Sequence, residues 1–111
     1  MKHLIIAALI AAPAAHAEFL SGNQLLTRID SAEIAQQGVA LGYVMGVHDS
    51  LRSVTHCSPP DITSGQLRDM VRQYLVNNPQ NRHLAADSLV GHVLKSVWPC
   101  KNQGNSNSRS L

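Results

Sequence analysis

The chain has two cysteines, Cys57 and Cys100, and what they can do depends on the compartment in which it folds. Residues 1–17 bear on that. Lys2 supplies a positive n-region, residues 4–12 an apolar h-region, and Ala15-His16-Ala17 an A-x-A cleavage site, which together read as a cleavable signal peptide. The apolar stretch falls short of the about 20 residues a bilayer-spanning helix needs, and no cysteine stands at the cleavage point to accept a lipid. The expectation is export without a membrane anchor, into an oxidising space where a thiol pair becomes a disulfide. Cys57 with Cys100 is then the single intrachain pair. Closing that loop is worth about 4 kcal/mol in the chain-entropy account, a large share of the stability of so small a domain. The rival use of these sulfurs is a zinc site completed by two of His48, His56, His83 and His92, but neither C-x-x-C nor H-x-x-x-H spacing supports a metal.

Apolar residues after the leader recur at helical spacing, and almost nothing alternates as a strand would. Leu25, Leu26 and Ile29 follow Ser21-Gly22-Asn23, where Ser21 or Asn23 can cap a short first helix. Asp30-Ser31-Ala32-Glu33 has the form of a capping box and opens a second pattern through Ile34, Leu41, Val44, Met45, Val47 and Leu51, to about Arg52. Pro59 and Pro60 forbid continuation. Thr63-Ser64-Gly65-Gln66 is a further capping box, ahead of Leu67, Met70, Val71, Tyr74 and Leu75. Asn78 precedes Pro79 and is pushed out of the helical region, so the third helix stops there. A fourth begins at Leu84 or Ala85, runs through Leu89, Val90, Val93, Leu94 and Val97, and closes at Trp98-Pro99-Cys100. The fold expected is all-α: one domain over residues 18–100, a bundle of about four helices with one disulfide. Residues 101–111 are Asn, Ser, Gly, Gln, Lys and Arg up to a final Leu, too polar to repay ordering, and read as a disordered tail.

Gly38, Gly42 and Gly46 recur every four residues in the second helix, and each weakens a helix interior by roughly 0.8 to 1 kcal/mol relative to Ala. Such a stripe lets another backbone come close. The first expectation is packing against the third or fourth helix within one chain; the second is a helix contact across a homodimer.

Composition narrows the function. Nine Lys and Arg against seven Asp and Glu give a net charge of +2, and aromatic residues make up 4% of the chain, so neither a phosphate-neutralising surface nor a base-stacking platform is available. Nucleic acid is not an expected partner. No G-x-S-x-G elbow, H-E-x-x-H zinc helix or Gly-rich phosphate loop is present, which leaves no catalytic set and no cofactor site to name. Two loops instead collect polar residues stiffened by proline: one holds His56, Ser58, Pro59 and Asp61, the other Gln80, Asn81, Arg82 and His83. Proline pre-sets the backbone and lowers the ordering cost of binding, so these residues are candidates for partner recognition. The structural alternative for Arg82 is that it caps carbonyls at the end of the third helix.

The order and spacing of several segments bring a known family into view. Phe19-Leu20-Ser21-Gly22-Asn23-Gln24-Leu25-Leu26, Gly42-Tyr43-Val44-Met45-Gly46-Val47-His48-Asp49, Cys57 with Gly65-Gln66-Leu67, Pro79 with Arg82-His83-Leu84, Ser88-Leu89-Val90 and Trp98-Pro99-Cys100 resemble the Rap/Tai immunity proteins, which protect bacteria that use type VI secretion. The resemblance covers Phe19 to Cys100. It implies a periplasmic, mostly helical and often dimeric protein that binds a peptidoglycan-cleaving amidase effector and blocks its cleft. It also implies a further cysteine pair near the positions of Ile29 and Ala40, which are apolar here. The alternative from another functional class is a small periplasmic acid-stress chaperone with one disulfide, whose histidines would charge on acidification.

Overall fold

The computed structural model describes residues 19–101. The leader expected over 1–17 lies outside the described residues, as does the expected tail from 102 onward. Among the described residues the chain forms four helices: α1 (Gly22–Ile29), α2 (Ile34–Leu51), α3 (Ser64–Asn77) and α4 (Ala86–Val97), with a 3-10 turn over Pro79–Asn81 between the last two. None of them is long and apolar enough to cross a membrane. The all-α expectation with one disulfide is met.

Local chemistry accounts for where most of these helices begin. Ser21 Oγ accepts the Gln24 N–H at 3.1 Å while Gln24 Oε1 accepts the Ser21 N–H at 2.9 Å, a reciprocal pair that starts α1. Thr63 and Gln66 do the same for α3, at 3.1 and 2.9 Å. The box expected at Asp30 does not form. α2 starts behind Glu33, whose side chain caps nothing. Ser31 Oγ instead accepts the Glu33 N–H at 3.1 Å, and the Ser31 carbonyl accepts from the Gln37 amide at 2.7 Å. Asp30 is diverted because its carboxylate accepts two hydrogen bonds from the Arg72 guanidinium, at 2.7 and 3.3 Å, pinning the α1–α2 turn to α3. α4 has no side-chain cap; its Ala86 N–H donates to the Leu20 carbonyl at 2.6 Å, so a neighbouring segment satisfies a group the helix leaves open.

Each helix buries one row. Leu67, Val71 and Leu75 are the buried residues of α3; α1 contributes Gly22, Leu25 and Ile29, and α4 contributes Ala86, Leu89, Val90, Val93 and Leu94. α2 packs against the other three helices. Its buried row is only Ala40, Val44 and His48. Ile29 and Ala40, where the resemblance implied a further cysteine pair, are both core side chains. Gly22 has a steric reason: a Cβ there would lie 2.5 Å from Leu89 Cδ1 and 3.0 Å from the Arg82 carbonyl oxygen, so a larger residue would displace Leu89 and crowd the backbone at residue 82.

Cys57 and Cys100 are bonded across 43 residues of sequence, which closes the alternative use of the two sulfurs as zinc ligands. The Cys57 N–H also donates to the Trp98 carbonyl at 2.8 Å, so the loop before α3 is fastened to the end of α4 twice. Replacing both cysteines by serine is expected to lower unfolding free energy by about 4 kcal/mol, read from urea denaturation of the oxidised and serine forms; a difference under about 1 kcal/mol would show that the loop is already constrained without the bond.

Candidate functional site

The two loops singled out from sequence lie at opposite ends of α3. Residues 56–61 lie before its start and residues 78–83 follow its end, and fourteen helical residues separate them by about 20 Å. They form two separate surfaces. Within the first, Pro59 and Asp61 are exposed, whereas His56 and Ser58 are buried, at 0% and 5% exposure. The structure therefore withdraws His56 and Ser58 from the surface a partner would meet. An extended loop beside two prolines looks solvated in sequence, but here it folds back under the end of α2.

What buries them is a polar network. His56 Nε2 bonds the His48 carbonyl at 3.2 Å, and His56 Nδ1 accepts the Ser58 N–H at 3.3 Å. One ring nitrogen must donate and the other accept, which sets His56 as the neutral Nε2–H tautomer. Burial holds its pKa below the ordinary histidine value; the bond to the His48 carbonyl opposes this, and the charges of His48 and Arg52 add to it. The His48 ring lies 5.1 Å from that of His56. His48 Nδ1 meets Asp49 Oδ1 at 2.9 Å and its Nε2 meets Ser58 Oγ at 2.7 Å. Carboxylate, imidazole and hydroxyl thus connect in the order a hydrolase relay uses. Ser58 is 5% exposed beside a disulfide-bonded residue, so the hydroxyl faces the imidazole and not a substrate. The network positions a loop.

In the second loop Gln80 and His83 are exposed and Asn81 and Arg82 half-buried. Arg82 does not cap α3. That role falls to Asn78, whose amide donates to the Tyr74 carbonyl at 2.8 Å, while the Arg82 carbonyl accepts the Asn23 N–H at 2.7 Å at the start of α1. Arg82 Nε is buried without a protein partner.

The glycine stripe corrects a further expectation. A Cβ on Gly38, Gly42 or Gly46 would meet nothing within 4 Å, so these residues do not pack against α3 or α4 within the chain. The buried row Ala40, Val44, His48 is offset from them by two residues, or about 200° around the helix. The stripe therefore faces outward, and Ile34, 85% exposed, and Val39, 52% exposed, continue this uncovered side. Where α2 does approach α4, the glycine that permits it is Gly91, whose Cβ would lie 3.2 Å from Leu51 Cδ1. Beside this contact an open groove of about 690 Å³ runs between the two helices, lined by Gly42, Gly46 and Gly91 and edged by Tyr43, Thr55, Asp87 and Lys95. Burial, and then the Asp87 charge, raise the Tyr43 pKa, so the Tyr43 hydroxyl on this rim stays protonated at neutral pH.

His48 was missed from sequence except as a possible metal ligand. The signal was present, since it continues the Ala40 and Val44 row at four-residue spacing. Among the described residues no group of three or more His, Cys, Asp or Glu is placed to hold a metal ion.

A small helical domain, crosslinked once, that spends its buried polar groups on fixing a loop is the class this geometry defines. Residues 21–100 match the family of Rap1a immunity proteins, and the chain belongs to that family. No curated protein matches it.

If the stripe is open in the isolated domain, Gly42→Ala and Gly46→Ala should each stabilise the dilute monomer by about 0.8 to 1 kcal/mol through helix propensity alone. Chemical denaturation at low protein concentration measures this, and a destabilisation instead would place the stripe against the chain's own helices.

Proposed function

We propose that the protein is a periplasmic immunity protein that binds a peptidoglycan-cleaving amidase effector of a type VI secretion system and inhibits it by occupying its cleft. The observation that carries this reading is the family match over residues 21–100, which takes in all four helices and both cysteines. The leader read over 1–17 supports export to the compartment where such an effector would act. Occlusion asks for a shaped, stiff surface and no bond-making, so the protein acts as an inhibitor without a cofactor and not as an enzyme.

The loop around Pro59 and Asp61 suits that task better than the loop around Arg82. It is exposed at its tip, stiffened by two adjacent prolines, and tied at its base by the disulfide and by the His48, His56 and Ser58 network. Little conformational freedom remains to be lost on binding. One narrow cleft cannot take both loops when about 20 Å separates them, and we assign the contact to Pro59 and Asp61. The exposed side of α2, with Ile34 and the three glycines, supports a homodimer in which two α2 helices cross at close range.

An amidase encoded beside this gene, assayed on peptidoglycan, should lose its activity on saturation with the protein. Asp61→Arg should then raise Kd about tenfold or more, with Gln80→Arg near wild type. Failure to bind any neighbouring hydrolase, or full activity in a saturated complex, contradicts the reading. For the dimer, sedimentation should show a two-chain species that Gly42→Leu converts to monomer; a wild-type protein that stays monomeric at high concentration contradicts it.

A further inference from the structure

The His56 ring sits between two backbone groups with opposite demands. Its Nε2–H donates to the His48 carbonyl at the end of α2, and its Nδ1 accepts the N–H of Ser58. A second proton must go to Nδ1, because Nε2 already carries one. The protonated ring would then point an N–H at the Ser58 N–H, donor against donor, and that bond cannot survive. Ser58 would also have to move relative to His48, whose Nε2 meets its hydroxyl at 2.7 Å.

We infer that His56 is an acid-released latch for the loop at residues 57–62: the neutral ring holds the loop under the end of α2, and the protonated ring lets it go while the helices and the disulfide stay in place. The groups facing the latch favour release as a distinct event. From α2 comes His48, 5.1 Å away ring to ring, and from the residue that follows the helix comes Arg52, both of which repel a charge on His56. Asp49 reaches the site only through His48 Nδ1. From the end of α4 comes the uncharged Trp98 carbonyl, bound to the Cys57 N–H at 2.8 Å. The disulfide to Cys100 limits how far the loop can travel. Release moves Pro59 and Asp61, the residues proposed to meet the effector, but the latch is a property of the free protein and stands apart from that reading.

The sign of the pH dependence follows from the lowered pKa. Above about pH 6.5 both the latched and released rings are neutral and the latch is at full strength. As pH falls below that value the released form takes up a proton and the latched form does not. The open fraction should therefore rise, by up to about tenfold per pH unit, until the pKa of the latched ring is reached.

The test is amide hydrogen exchange by NMR on the purified protein between pH 7.5 and 4.5, with each rate divided by its intrinsic value at that pH. The latch predicts that Ser58 loses protection progressively below about pH 6.5, that Val71 and Val90 keep theirs, and that the His56 ring nitrogens report an Nε2–H tautomer at pH 7.5. His56→Gln, which carries no titrating group, should flatten the Ser58 profile. Constant Ser58 protection across the range overturns the proposal, and so does loss of protection at Ser58, Val71 and Val90 together in one unfolding transition. An unchanged profile in His56→Gln also overturns it.

Discussion

The rest of the structure depends on how one end of the bundle is closed. There the chain turns from α2 into the loop before α3 and meets the last turn of α4, and three ties of different chemistry act within a few residues. The Cys57–Cys100 bond limits the separation of the two segments, the Cys57 N–H to Trp98 carbonyl bond sets their register, and the His56 ring bridges α2 to Ser58. Twelve buried apolar side chains make up the core among the described residues, a small one. In a domain of this size the hydrophobic term alone leaves little margin. A covalent tie combined with a satisfied polar cluster lets a proline-rich loop keep one conformation that packing alone would not impose.

The same economy shows in α2, the longest helix and the one that touches all the others. Its apolar residues are spread around its whole circumference, yet the buried apolar residues of this helix are only Ala40 and Val44. A helix that is apolar all round is ordinarily enclosed on all sides. Here one side carries the core and the opposite side carries Ile34 and three glycines into the open. Three helix-weakening residues kept on an outward face make sense if the face is covered by something that comes close, which is why this surface and the loop at residues 57–62 carry the proposed function.

Sequence made the helices legible because their signals are local. Capping at Ser21 and Thr63, the stop before Pro79, and the repeating apolar positions of α3 each involve residues within a few positions of one another, and all stand in the structure. The box at Asp30 failed for a non-local reason: Arg72, forty-two residues away, takes the carboxylate. His56 and Ser58 were misjudged for the same kind of reason, since their burial comes from α2 folding over them and not from their neighbours in the chain. The glycines were legible in spacing but not in direction. Placing the buried row first, from Ala40, Val44 and His48, would have turned the stripe outward. Disposition of the two loops required only the length of α3, a quantity the periodicity already contained.

The chain belongs to the Rap1a immunity proteins, and its pinned, exposed loop supports the proposed inhibition by occupation. Rigidity at one end of the bundle is the basis of the proposed recognition, and so the contact must be found at that end. Hydrogen–deuterium exchange of the protein, free and saturated with the amidase proposed as its partner, is the direct test. The account predicts new protection concentrated in residues 57–62. Protection confined to residues 78–85, at the far end of α3, would contradict it.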